Sequence, residues 1–217
     1  MTTWKDAPLV ALDLEGSGAQ DRNDEAILEI ALVPLTGGWP SLQDSYTTLI
    51  DPGRPIPRRP WISPGLTTKA LTGAPALSEV EPELTARLAG KVIVGHNVGV
   101  DWRLLRRRCP HIQPAALIDT LRLARHVHPG IKGKSLTALL DRYQLTSKVS
   151  ELAPRSRPHR ALWDTVATAL LLPVLIARCW PSGATLDALL EAAAINLPAG
   201  PAQSGAKNVQ DTLFGPA

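Results

Sequence analysis

Asp13 and Glu15 stand two residues apart at the end of a short apolar run, Leu9-Val10-Ala11-Leu12. A run of this kind entering the glycine-rich stretch Gly16-Ser17-Gly18 predicts a strand and its exit turn. Positions i and i+2 of a strand share a face. Both carboxylates therefore point to one side, at the carboxyl end of the strand, where open α/β sheets place their sites. Two adjacent carboxylates repel, and a hard divalent cation relieves that repulsion. Acids at a strand end are also ordinary where a strand meets solvent, so this pair alone decides nothing.

Two further acids change the balance. Asp101 follows the apolar run Val92-Ile93-Val94 and the turn Gly95-His96-Asn97, which places it in the first turn of the next helix. Asp164 lies in His159-Arg160-Ala161-Leu162-Trp163-Asp164, at the start of a long apolar helix. The helix dipole favours acids at both places without any catalytic role. His159 is of interest because imidazoles titrate near neutrality and can take a proton from water.

The elements that must position these groups are legible in outline. Leu9–Leu12, Ala26–Leu35 (interrupted by Glu29 and stopped near Pro34) and Ser45–Ile50 predict three strands with short links, an antiparallel meander. A proline-rich connection runs over 54–75. Val80, Leu84 and Leu88 recur at helical spacing before Gly90. Val92–Val94 and Ala115–Ile118 predict two more strands, and helices are expected over about 120–127, 135–143, 160–178 and 185–195. Strands first and helices later, with β-α-β in the middle, give an α/β layer fold around one mixed sheet.

In chain order, D-x-E at a strand end, then H-N-x-x-x-D, then H-R-A-L-x-D resemble the three exonuclease motifs of the DnaQ-like DEDDh 3′→5′ exonuclease family. Intervening segments match as well: Leu49-Ile50-Asp51-Pro52-Gly53, Gly65-Leu66-Thr67 and Asp119-Thr120-Leu121-Arg122-Leu123-Ala124-Arg125. The resemblance runs from about Leu9 to Ile176, and the exodeoxyribonuclease X and proofreading branches are the most similar. It implies an α/β, ribonuclease H-like three-layer fold with a five-stranded mixed sheet flanked by helices. Asp13, Glu15, Asp101 and Asp164 would hold two Mg²⁺ or Mn²⁺ ions, and His159 would be the general base. Gly16, Ser17, His96, Asn97 and Arg160 would meet the substrate, Arg160 by orienting phosphate. The expected reaction is release of nucleoside 5′-monophosphates from nucleic acid 3′ ends, DNA favoured, in repair or proofreading. RNA trimming of the RNase T kind and a silent nucleic-acid-binding module are the alternatives. Two departures from the family stand out. Gly16 and Ser17 replace threonines often found after D-x-E, and Val100 replaces a common Phe, which suggests a change in packing.

Composition is compatible with this. A hydrophobic share of 44% and a charged share of 20% suit a soluble globular chain of 217 residues. The net charge of +3 permits a nucleic-acid partner without demanding one. Arginines and lysines group at 103–108, 122–134 and 155–160, close to the candidate catalytic residues. Cys109 and Cys179 form no C-x-x-C pair, and the first residues carry no secretory pattern, so a cytoplasmic protein without membrane association is expected. Gly133-Lys134-Ser135 copies the end of a phosphate-binding loop but lacks the earlier glycine.

The expected organisation is an exonuclease domain over 1–180, a helical extension over 181–197 and a flexible tail over 198–217. Within the tail, Gln210, Leu213 and Phe214 resemble the Gln-x-x-Leu-Phe peptides with which bacterial proteins bind the sliding clamp.

Overall fold

The computed structural model describes residues 2–18 and 24–197. Strand β1 (Leu9–Gly16) runs antiparallel to β2 (Ile27–Thr36), which is followed by the two-residue β3 (Trp39–Pro40) and by β4 (Tyr46–Leu49). A single turn α1 (Thr68–Leu71) and helix α2 (Leu77–Leu88) lead to β5 (Val92–Gly95). Helix α3 (Gly99–Arg108) crosses to β6 (Ala116–Asp119). Helices α4 (Thr120–Val127), α5 (Leu136–Tyr143), α6 (Thr146–Leu152), α7 (Ala161–Cys179) and α8 (Leu186–Ala193) follow, and the two-residue β7 (Ala194–Ile195) ends the described chain.

The sheet order is β3-β2-β1-β5-β6-β7, with β4 also paired to β2. β1, β5 and β6 run parallel, while β2, β4 and β7 are antiparallel to their neighbours. The sheet therefore has seven strands where five were expected. The two extra strands are two-residue edge pairings, too short to leave a periodic signal.

β1 shows how the sheet becomes the middle of three layers. Leu9 and Ala11 pack with α7, α4 and α5, whereas Val10, Leu12 and Leu14 pack with α2 and α3. Successive strand residues face opposite sides. With helices covering both sides, the whole run is buried, which is why it reads as continuously apolar.

Two prolines lie inside regular elements. Pro34 does not stop β2, because pairing with β4 ends at Leu32 and pairing with β3 begins at Leu35. On that edge no ladder partner is lost. Pro173 lies inside α7 without interrupting it. Only one helical hydrogen bond is forgone, and α7 is held by its packing: Val166, Ala167, Leu171, Leu172 and Leu175 are all fully buried. α7 is long and apolar enough to cross a membrane by composition, but most of it is buried against the sheet as a core helix. The segment 181–197 belongs to the same core. Leu189 and Ala193 join the α7 cluster, and β7 pairs with β6.

Candidate active site

Asp13 and Glu15 share the face of β1 that looks toward α7, continuing the side on which Leu9 and Ala11 are buried. Asp164, in the first turn of α7, comes down onto that face. Asp13, Glu15 and Asp164 each present a carboxylate oxygen within 4.8 Å of the other two. Asp101 arrives from the opposite helical layer, in the first turn of α3. Its Oδ1 accepts the Leu14 N–H at 3.3 Å, so it sits against the strand between the two β1 acids. The four acids come from two strand positions and two helix starts, and all meet at the carboxyl end of β1.

The electrostatics are those of crowded, partly desolvated carboxylates. Burial is the main cause in each case. Asp13 is pushed well above the carboxylate range by burial, then by the charges of Asp101, Asp164, Glu15 and Glu29. Glu15 is raised to about 7 by burial against the lowering effect of a hydrogen bond from Ser63, with Asp164 and Glu29 adding repulsion. Asp101 is raised to about 7 by burial, partly offset by the Leu14 N–H. Asp164 is raised to about 7 by burial, partly offset by the His159 N–H, which donates to its Oδ2 at 3.1 Å.

The sign of the stability effect follows. Carboxylates whose folded pKa lies above the unfolded value bind protons more tightly in the native state. Their contribution is fully present at low pH and is lost as pH rises through about 7. A divalent cation needs the deprotonated forms and stabilises the fold by mass action. The expected result is a chelator-treated protein whose Tm falls by several degrees from pH 5 to pH 8. Added Mg²⁺ or Mn²⁺ should raise Tm far more at pH 8 than at pH 5. Differential scanning fluorimetry reads both, and equal metal shifts at the two pH values would contradict the arrangement.

His159 is exposed, at φ +65°, on the turn immediately before α7. Its backbone N–H donates to Asp164 Oδ2, which places the residue at the edge of the acid cluster. Arg160 folds away from solvent. Its Nε and Nη2 donate to Glu29 Oε2 and Oε1 at 2.7 and 2.8 Å. The guanidinium expected to face phosphate is thus engaged with a buried acid of β2.

His96 is similarly occupied. Nδ1 pairs with Thr120 Oγ1 at 2.9 Å and Nε2 with the Lys134 carbonyl at 3.0 Å. Burial lowers its pKa, so the ring pins the loop before α5 as a neutral imidazole. Asn97, at φ +63°, is exposed, and its N–H donates to Asp119.

Gly16 lies at a bulge in the β1–β2 ladder, and a Cβ there would meet Leu104 at 3.0 Å. Ser17 is buried. Its N–H donates to the Ala26 carbonyl and its hydroxyl accepts the Ala26 N–H, which closes the strand end. Val100 is 47% exposed, so the residue before Asp101 makes a change of surface where a change of packing was expected. The basic groups are also partly structural: Arg108 donates to the Glu25 carbonyl, Arg122 to the Ala194 carbonyl and Arg157 to the Pro64 carbonyl. Gln210, Leu213 and Phe214 lie outside the described residues.

Glu29 and Ser63 are the site neighbours that sequence reading missed. Glu29 appears in the sequence only as a polar interruption of a strand, and Ser63 only as part of a proline-rich connection. A charged residue within an otherwise apolar, doubly covered strand was the one available signal for Glu29.

Acids converging at the carboxyl end of a mixed, three-layer sheet define a ribonuclease H-like nuclease fold. The chain matches the family model described as Exonuclease (RNase T) over residues 10–172, and it belongs to that family. Among curated relatives, it is 35% identical over 176 residues to a DNA polymerase III subunit epsilon-like protein of Rhodobacter capsulatus, covering 78% of this chain and 24% of that one. It is 37% identical over 173 residues to the PolC-type DNA polymerase III of Thermotoga maritima, covering 77% and 12%. The chain thus spans a quarter or less of the length of these two relatives. With the DNA polymerase III subunit epsilon of Aquifex aeolicus it shares 28% identity, covering 81% and 83%. The solved structure of Exonuclease X in complex with 5′ overhanging duplex DNA aligns with a TM-score of 0.66 at 29% identity, over 84% of this chain and 98% of that one.

Proposed function

We propose that the chain is a 3′→5′ exonuclease that removes nucleoside 5′-monophosphates from DNA ends. The observation that carries this reading is the convergence of Asp13, Glu15 and Asp164 within 4.8 Å, with Asp101 against the same strand. Burial, joined by like-charge repulsion, raises the pKa of every member and leaves a site suited to hard cations. The donor set fits Mg²⁺ or Mn²⁺: all oxygen, all anionic, with no thiol or imidazole among the clustered ligands. Asp13, Glu15, Asp101 and Asp164 would hold two such ions. When bound, the pair supplies charge stabilisation at the attacking and leaving oxygens of an in-line displacement at phosphorus.

The chain's own residues do the rest. His159, exposed at the rim, accepts the proton of the attacking water. Its backbone N–H holds the Asp164 carboxylate in place from the same turn. Ser63 donates to Glu15 and fixes the orientation of that carboxylate. Asn97, exposed on the loop before α3, offers a polar side chain to an incoming strand. DNA is favoured as substrate because the relatives are DNA polymerase subunits and the Exonuclease X structure holds duplex DNA.

A panel of end-labelled DNA and RNA oligonucleotides with Mg²⁺ or Mn²⁺ tests the reading. The expected outcome is stepwise shortening from the 3′ end, with mononucleotide products and full arrest by chelator. Binding without shortening would make the chain a silent nucleic-acid module. Shortening of RNA alone would move it to the RNA-trimming class.

A further inference from the structure

Glu29 is 6% exposed and lies opposite Glu15 in the β1–β2 register. A buried carboxylate needs donors, and this one has three: Arg160 Nε, Arg160 Nη2 and the Ala161 N–H, at 2.7, 2.8 and 3.3 Å. Arg160 and Ala161 are the junction between the His159 turn and α7. A fork-on-carboxylate pair fixes the angle as well as the distance of that junction. The Asp164 N–H then donates to the Arg160 carbonyl at 3.1 Å, and the His159 N–H to Asp164 Oδ2. His159 itself holds φ +65°, a conformation that persists in a non-glycine residue only where the surroundings over-determine it. A second tie, Arg157 to the Pro64 carbonyl at 2.8 Å, fastens the same turn to the loop whose Ser63 reaches Glu15.

We infer that Glu29 is a positioning residue: its two-point pair with Arg160 sets where His159 and Asp164 stand at the acid cluster. This inference rests on the exonuclease reading. A need for stability alone would be met as well by an apolar pair of the same volume. Here the fold places a fifth negative charge beside four others, and that charge raises Asp13, Glu15 and Asp164. Glu29 is not among the carboxylates that meet within 4.8 Å, and both of its oxygens are turned to Arg160. Arg160 correspondingly directs its fork at Glu29. Two of its donor nitrogens are used, and Nη1 faces Gly65.

The test uses the full chain with Glu29→Gln, Arg160→Lys and the double variant. Arg160→Lys keeps the charge pairing and removes only the fork, so it remains informative if Glu29→Gln does not fold. Misplacement of catalytic groups by about 1 Å lowers turnover roughly 100-fold. Each variant should therefore lose kcat on that order while KM for an oligonucleotide stays within about threefold. The double variant should be no worse than the poorer single, as for two residues acting as one unit. The His159 imidazole resonance, assigned by its loss in His159→Asn, should shift in Glu29→Gln. Unchanged kcat in a folded Glu29→Gln overturns the inference. So does a raised KM confined to Arg160→Lys, which would make Arg160 a phosphate ligand. If the wild type releases no nucleotide, the activity reading fails, while the His159 resonance still reads the positioning on its own.

Discussion

Asp13→Asn should end nucleotide release and, in the same protein, raise the Tm of the metal-free fold at pH 8. The two effects have one cause. Asp13 is surrounded by Asp101, Asp164, Glu15 and Glu29 and is desolvated, so its charged form is strongly disfavoured without a cation. Asparagine keeps the shape and removes the charge. The loss of activity should be at least about 1,000-fold, the order seen when a preorganised charge-stabilising group is removed from a catalytic site. The gain in stability should shrink toward pH 5, where the aspartate is itself protonated in the fold and asparagine resembles it. Single-turnover release and thermal denaturation with chelator measure the two sides. Retention of a tenth or more of the activity, taking about 1.4 kcal/mol as the tenfold mark, would remove Asp13 from the machinery. A lower Tm at pH 8 would mean that the cluster is not a store of repulsion.

The opposition between the two effects has a general sense. Sites built for cations hold like charges together at the expense of stability, and most substitutions that relieve the strain abolish function. Here the strain is shared. Glu15, Asp101 and Asp164 are each raised to about 7, so no single acid carries it. Ser63 and the backbone N–H groups of Leu14 and His159 oppose it by donating to three of the four carboxylates. These donors hold the acids ready while leaving further lone pairs for a cation.

How much of this was legible in the sequence depended on range. Asp13 and Glu15 could be placed because strand alternation is a local rule, and β1 obeys it on both covered faces. Asp101 and Asp164 could be placed because each follows a turn and opens a helix. The pairing of Glu29 with Arg160 spans 131 positions and the bond of Ser63 to Glu15 spans 48, so neither leaves a pattern in a window of sequence. For the same reason the Glu29 partner of Arg160 was not legible, since a guanidinium beside a catalytic motif gives no sign of which acid it turns toward. His96 was expected at the substrate, and only the fold brings Thr120 and the Lys134 carbonyl to its two ring nitrogens. α6 escaped notice because seven residues with one buried apolar position carry too little periodicity.

His159→Asn and His159→Gly should both lose turnover by about 100- to 10,000-fold, the range for removal of a positioned base. They should do so without loss of stability. His159 is exposed and sits at φ +65°, where asparagine is tolerated and glycine is unstrained. The bond to Asp164 comes from the backbone N–H and survives any of these replacements. His159→Ala separates the two roles of the residue. Alanine removes the imidazole too, but it pays the left-handed penalty of about 1 kcal/mol that glycine avoids. Stability should therefore rank glycine at or above asparagine and both above alanine, while all three variants show the same low kcat. Urea denaturation and single-turnover release give the two rankings. If activity followed stability, with glycine the most active, the imidazole would be a bystander and the turn alone would matter. If all three are equally slow, the proton passes through the ring and the backbone only presents it.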